Sequence, residues 1–480
     1  MRSLLQLPTP ALCTSETLSL TYSSTMSESI TDRIQPPLEH IPPQFNPLIL
    51  KGVQLILPLW LRTQCKISQI NTHNTVTLAQ LYHQFQHQQI RLILAFRHPS
   101  TYDPYSMAHL LWKALPQAAK QHKIPLKYPV HTHFMYDRGI PIWAGKFVST
   151  LFSQLGGTSI QRGKLDREGL KCARSLLFDG RFPLTLAPEG GINDHSELIS
   201  PLEPGVAQLG FWCVEDLQKA NRSEKVAILP IGIRYSFAQP PWEQLDRLLS
   251  ELEQDLGLPP FTNNSSDDVT QSRYPRLLRV GQSLLSLMES FYSQFYDVKF
   301  EELPDLEDPN HNLSQRLNRL LENALQVSES YFKIQPKGSF IDRCRRLEQA
   351  GWERIYRSDI DSLSPVEFGL GNWVAEEASL RMGHMRMVER VCAVTGKYVR
   401  EKPTAERLAE TLLILWKVIT WIKTGKVEGH PNLGKLETTL TVGEPLWVND
   451  RWTEYRNSRR QAVSGLTQEL QVALDQLIIS

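Results

Sequence analysis

An α/β sandwich carrying a mostly helical insertion is the fold class that three features of the sequence predict. Short apolar runs alternate with helical patterns across residues 91–240, helical spacing dominates beyond Pro240, and a strand pattern returns only near residue 438. With 480 residues and 41% hydrophobic content, the chain is long enough for two or three domains and a sizeable core.

Taken in order, residues 1–44 are rich in Ser and Thr and broken by Pro8, Pro10, Pro36, Pro37, Pro42 and Pro43, so no long apolar helix forms and no signal peptide is expected. This start reads as disordered. Met26 opens a more soluble-looking segment, which makes residues 1–25 a candidate for absence from the mature protein. Residues 48–61 are apolar, but Lys51, Gln54 and Pro58 interrupt them. They fall short of the roughly 20 apolar residues that span a bilayer. Trp60, Arg62 and Lys66 suit a helix lying in a membrane interface; a helix packed on its own domain accounts for the same pattern.

The α/β unit, residues 45–240, has strands at 91–96, 182–187 and 226–233, with helices opening at Asp103-Pro104 and running from 204 to 219. Residues 241–429 form the insertion, with helices expected at 245–256, 278–295, 313–332, 373–395 and 405–423 and a polar loop at 259–275. The apolar stretch 408–422 is short and carries Glu410 and Lys417, so it reads as a buried helix. Residues 430–480 return to α/β style, with a strand at 438–442 and a helix at 459–478. A late strand needs a sheet to join, and the sheet of residues 91–240 is the candidate.

Composition narrows the partners. Lys plus Arg total 52 against 51 for Asp plus Glu, so no global charge points to nucleic acid. The six cysteines, Cys13, Cys65, Cys172, Cys213, Cys344 and Cys392, lack a C-x-x-C pair and fit reduced thiols in a cytosolic compartment.

The chemistry-bearing segment is Phe96-Arg97-His98-Pro99-Ser100-Thr101-Tyr102-Asp103-Pro104, which puts a histidine and an acid on one loop between strand and helix. Ligands bind at such loops. An imidazole with an ordinary pKa near 6.5 can take the proton of an attacking alcohol, and a carboxylate across the loop can hold its tautomer. No G-x-S-x-G elbow is present to support a covalent acyl-enzyme, so direct transfer is favoured. Asp before Pro is also how an ordinary helix is capped, and the pair alone decides nothing.

Four further segments follow in order: Gly157-Thr158-Ser159-Ile160-Gln161-Arg162-Gly163, Ala187-Pro188-Glu189-Gly190-Gly191, Pro201-Leu202-Glu203-Pro204-Gly205-Val206-Ala207 and Leu229-Pro230-Ile231-Gly232-Ile233. With them the sequence resembles the glycerol-3-phosphate and lysophosphatidate acyltransferase family over roughly residues 80–235. Thr441-Val442-Gly443-Glu444-Pro445 is similar to its late strand and turn. The resemblance implies an acyltransferase αβ sandwich in which His98 is the general base and Asp103 its orienting acid. It implies that Arg162 grips the acceptor's phosphate, Glu189 and Gly190 line the acceptor site, and Pro230 belongs to the acyl side. The expected activity moves a fatty acyl group from acyl-CoA or acyl carrier protein to a glycerol-based hydroxyl, lysophosphatidate or glycerol-3-phosphate, in phospholipid synthesis. No metal or organic cofactor is expected, and the enzyme is placed in the cytoplasm, peripheral to a membrane surface.

One departure bears on substrate. The family shows Thr or Ser and then Arg after its Glu-Gly pair, whereas this chain has Gly191 and Ile192, so one phosphate-binding cation is missing. Lys164, Arg167 or Lys171 can replace it, or the acceptor is a glycolipid, a neutral alcohol or a quinol. The rival outside enzymes is an inert membrane-surface scaffold. The cations Lys146, Lys164, Arg167, Lys171 and Arg174 suit either an acidic carrier protein or a solvated helix face. Gly157 to Lys164 has the wrong glycine spacing for a P-loop, and Leu165 stands where Ser or Thr is required. His131 and His133 form an H-x-H without third-ligand spacing, His195 is the reserve base, and His384 sits among methionines on a helix.

Overall fold

A computed structural model describes residues 33–162, 165–261, 272–301, 308–394, 396–427 and 429–479. The fold is mixed α/β, with a mostly parallel central sheet and many helices. Its strands are β1 (Ile67–His73), β2 (Ile90–Phe96), β3 (His133–Asp137), β4 (Gly157–Ile160), β5 (Leu184–Leu186), β6 (Lys225–Phe237), β7 (Leu436–Val442) and β8 (Leu446–Trp447), in spatial order β1-β7-β6-β2-β5-β3-β4 with β8 beside β6.

The central strand explains the layering. Leu92, Ile93, Leu94 and Ala95 of β2 are fully buried, as a parallel strand covered on both faces requires. Leu92 and Leu94 join a core with Leu78, Tyr82, Leu110 and Leu111 from helices Thr75–Gln86 and Asp103–Gln121. Ile93 and Ala95 face Leu177, Phe211 and Leu466 on the other side, from helices Arg167–Asp179, Gly205–Lys219 and Arg459–Ile479. Alternate residues of one strand therefore serve two helical layers. The Asp103–Gln121 helix contains a π turn at Leu110–Ala114 just before Pro116, whose missing N–H removes a rung of the regular ladder.

Beyond Pro241, helices Trp242–Asp255, Tyr274–Tyr296, Pro309–Phe332, Phe340–Ile355, Pro365–Val391 and Ala405–Thr424 build a third core around Leu249, Leu325, Leu347, Val388 and Leu412. Phe340–Ile355 is an addition to the sequence reading. Ala405–Thr424 buries Leu408, Leu412, Leu415 and Ile419, and no helix among the described residues is long and apolar enough to cross a membrane. The chain then comes back to the sheet: β7 lies between β6, antiparallel to it, and β1, parallel to it.

Residues 33–44 correct the expectation of a disordered start. Ile34 is buried in the helical core, Gln35 bridges Tyr356, and Ile41 exchanges hydrogen bonds with Ser159 of β4, its N–H reaching the Ser159 hydroxyl at 2.9 Å and its carbonyl the Ser159 N–H at 3.2 Å. Backbone pairing and one buried side chain hold this strap despite its prolines. Residues 1–32 and Cys13, the centre of the 259–275 loop, and Gly163 and Lys164 lie outside the described residues.

Candidate active site

Parallel pairing brings the C-terminal ends of β2, β3, β4 and β5 to one edge of the sheet, where ligands of open α/β sheets bind. Two residues past Phe96, the end of β2, comes His98. Pro99 keeps the residue before it extended, and Pro104 then starts the helix that Asp103 opens. Both turns are thus encoded locally.

Asp103 is fully buried, and three donors hold it. Its Oδ2 accepts from His98 Nδ1 at 2.8 Å and from the Ser100 N–H at 2.9 Å, while its Oδ1 accepts from the Tyr235 hydroxyl at 2.6 Å. Because Oδ2 can only accept, the proton of neutral His98 belongs on Nδ1, and Nε2 is left as the basic nitrogen. The His98 side chain is 20% exposed, with the Phe96 ring edge-on at 5.6 Å, and no described residue takes its Nε2. The ring is therefore partly open to solvent.

Tyr235 was not visible as a site residue. Residues 232–237 of β6 run past the last β2 partner, Ile231, and this overhang carries the phenol to the loop. Burial and then the neighbouring Asp103 raise the Tyr235 pKa well above its ordinary value, so it remains a donor.

Glu189 follows β5, but it is 3% exposed and does not line an open surface, contrary to the expectation that it lines the acceptor site. Its Oε1 accepts from the His98 N–H at 2.8 Å, and Oε2 accepts from Asn193 and the Ser200 N–H, each at 3.0 Å. Burial raises its pKa, opposed by Arg97 and these N–H groups. It braces the backbone of the proposed base. Arg97, fully buried, donates to the carbonyls of Ser196, His195 and Leu198 and so ties the same loop to the following segment.

The segment 157–162 joins this group through Arg162 and one carbonyl. Arg162, two residues past β4, donates through Nη1 to Gly190 O at 2.7 Å and through Nε to Asp137 Oδ2 at 2.6 Å. His98, Glu189, Gly190 and Arg162 are therefore linked in sequence by hydrogen bonds and one peptide unit. Gly190 has φ +66°, and a Cβ there would strike Glu203 and stand 2.8 Å from Arg345 Nη2. Only glycine fits that turn.

Arg345 comes from the inserted helix Phe340–Ile355, which Ser339 and Asp342 start with a capping box. It pairs with Glu203. The same helix places Gln349 against Gln161 at 3.2 Å and Glu348 in the field of Arg162. Burial pushes the Glu348 carboxyl up to about 7, Arg162 opposing and Glu389 and Asp137 adding to the rise. The insertion is thus a wall of the site.

The remaining candidates separate. Pro230 lies inside β6 opposite Ala95, buried against Gly443, one residue short of the strand end that precedes Arg97. His195 is 1% exposed, its Nδ1 bound to Asn193 O at 2.6 Å, and burial lowers its pKa; this correction removes it as reserve base. His131 and His133 are buried and engaged with the carbonyls of Leu155 and Gly156 at 2.7 and 2.9 Å. His384 is buried beside Tyr292, whose hydroxyl lies 2.7 Å from Nδ1. Arg174 pairs with Asp216, and Lys146, Arg167 and Lys171 are exposed. No group of three or more potential metal ligands occurs among the described residues. Comparison of the chain with models of known families, with curated proteins and with solved structures finds no match.

Proposed function

We propose that this chain is an O-acyltransferase of the glycerol-3-phosphate and lysophosphatidate type, passing a fatty acyl group from acyl-CoA or acyl carrier protein to a glycerol-based hydroxyl at a membrane surface. The observation that carries the reading is the accessible His98 ring, fixed by Asp103 and braced through Glu189, at the strand ends where Arg162 also arrives.

In this reading the acceptor hydroxyl gives its proton to His98 Nε2 as its oxygen attacks the thioester carbonyl. Asp103 stabilises the imidazolium through Nδ1–H. Collapse of the tetrahedral adduct breaks the C–S bond, and the departing thiolate takes the proton back from Nε2. An ester and a free thiol result, with the base restored. The acyltransferase αβ sandwich is part of the same proposal, with the inserted helices walling its acceptor side.

Membrane docking is proposed through helix Pro47–Thr63. It buries Leu50, Leu57 and Leu61 and presents Leu48, Leu55, Ile56 and Leu59, the last four 73%, 83%, 58% and 65% exposed, with Lys51 and Arg62 on the same side. Such a stripe suits the acyl boundary of an anionic membrane. The Trp60 ring of this helix lies tilted against Tyr105, two residues past Asp103, with centroids 6.1 Å apart, so the docking helix adjoins the site.

A neutral acceptor is the second reading, favoured by Gly191-Ile192 and by the acids around Arg162. The test supplies purified chain and anionic vesicles with labelled acyl-CoA and acyl carrier protein, against glycerol-3-phosphate, lysophosphatidate, monoacylglycerol and a long-chain alcohol. Transfer to a phosphorylated acceptor supports the proposal. Transfer to neutral acceptors selects the second reading, and transfer to none defeats both.

A further inference from the structure

We infer that the helical insertion supplies the missing phosphate-binding cation: Arg345, with Arg162, forms a paired guanidinium site on the two sides of the Gly190 turn for a phosphomonoester dianion. The inference rests on the acyltransferase reading and names how its acceptor is held.

Three observations meet at this place. Arg162 Nη1 grips Gly190 O at 2.7 Å and stands 3.4 Å from where a Cβ on Gly191 would lie, while Arg345 Nη2 stands 2.8 Å from a Cβ built on Gly190. Both guanidinium groups therefore lie against one two-residue turn. Each already holds an acid, Asp137 on Arg162 and Glu203 on Arg345, so carboxylates occupy positions that phosphate oxygens would take. Arg345 Nε is buried and has no hydrogen-bond partner, and no described residue takes Arg162 Nη2 although that side chain is 26% exposed. Arg162 Nη2 therefore remains for an incoming anion, whose further oxygens would displace Asp137 and Glu203 from the two forks, and a dianion matches two forks better than a carboxylate does.

The position is chemically sensible. Gly190 follows Glu189, which holds the His98 backbone, so an acceptor anchored at the turn is held one residue from the brace of the proposed base. Among the substitutes raised from sequence, Arg167 and Lys171 belong to the helix Arg167–Asp179 and are exposed, whereas Arg345 stands at the turn. The insertion thereby acquires a role, since without it the acceptor site has one cation.

Calorimetric titration of the whole chain tests this with two probes: a short-chain lysophosphatidate below its micelle concentration, and the matching monoacylglycerol. Arg345→Ala should weaken lysophosphatidate binding about 10- to 100-fold, the loss expected for charge-assisted hydrogen bonds. Monoacylglycerol binding should not change. Arg345→Lys should fall between, keeping charge without the fork. Glu203→Gln should tighten lysophosphatidate binding by removing the competing acid, an effect that misfolding cannot imitate. Unchanged lysophosphatidate affinity in Arg345→Ala and Glu203→Gln, equal shifts for both probes, or no binding by the wild type overturns the inference. Acyl-transfer assays separate the two failures. Transfer with an unaltered acceptor KM in Arg345→Ala removes the cation and keeps the enzyme; Arg345-dependent binding without transfer keeps the anion site and removes the enzyme.

Discussion

Replacing Asp103 by Asn should slow acyl transfer far less than replacing it by Ala, and the hydrogen bonds around the carboxylate say why. The Ser100 N–H cannot turn, so the oxygen of Asn must take the Oδ2 place, where it still accepts from Ser100 and from His98 Nδ1. The amide NH2 then falls at the Oδ1 place and faces Tyr235. That hydroxyl can rotate, accept from the amide, and donate instead to Ser106 Oγ, 3.2 Å away. The tautomer survives, and what is lost is the charge opposite the imidazolium. Exchanging a charged acceptor for a neutral one is worth roughly 1–2 kcal/mol, or about 5- to 30-fold in rate. Asp103→Ala leaves three donors without an acceptor and the ring without an orienting partner, so a loss of about 100- to 1000-fold is expected. Adding Tyr235→Phe to Asp103→Asn strands the buried amide, which costs roughly 1–3 kcal/mol more. The assay is the initial rate of thiol release from acyl-CoA, with folding checked by circular dichroism. If Asp103→Asn proves as slow as Asp103→Ala, or Tyr235→Phe adds nothing to it, the argument from this hydrogen-bond network is wrong.

Other outcomes follow from the same structure. Leu55→Asp with Leu59→Asp should reduce co-sedimentation with anionic vesicles at least about 10-fold, since each exposed leucine is worth roughly 1.5–3 kcal/mol on burial, while leaving thermal stability unchanged. Equal vesicle binding by this variant would exclude helix Pro47–Thr63 as the docking face. Gly190→Ala should keep the fold but impair transfer, because φ +66° and the contacts with Glu203 and Arg345 both oppose a Cβ; the left-handed conformation alone costs roughly 1–2 kcal/mol. Full activity in that variant would show that the turn is dispensable. Burial pushes the Glu410 carboxyl up to about 7, against the donors Tyr398 and Ser196. From the ordinary carboxyl range up to that value the folded chain holds a proton that the unfolded chain releases, so stability falls as pH rises through this window. Urea midpoints at pH 5 and pH 7.5 should differ less in Glu410→Gln than in wild type, and an identical pH slope would rule the group out.

What the sequence disclosed follows physical lines. The strands at 91–96 and 226–233 were readable because central parallel strands are buried on both faces and so run apolar without interruption. β1, Ile67–His73, escaped notice because it is a half-exposed edge strand with a polar sequence, and β4 because Gly157-Thr158-Ser159 has little apolar signal. The apolar signal of β6 ends at Ile233, where the residues turn polar, yet pairing with β7 continues to Phe237 and delivers Tyr235 to Asp103. That partnership spans 132 residues of chain and leaves no local trace. The His98–Asp103 spacing was legible because both residues sit on one loop with its own turn chemistry. Helix Phe340–Ile355 carried a signal that went unused, Ser339 and Asp342 at capping-box spacing, and with it went Arg345. The proline-rich strap at residues 33–44 was misread because its order comes from distant partners, Ser159 and the helical core, which composition does not reveal.

The most direct measurement is the single-turnover rate of acyl transfer by wild type and His98→Ala, each saturated with donor and acceptor on vesicles, with donor binding measured separately. Loss of the base should lower that rate about 100- to 10,000-fold while donor affinity stays within twofold, the range expected of a general base. A His98→Ala chain that transfers acyl groups as fast as wild type would show that this imidazole is not the base, and the account would not stand.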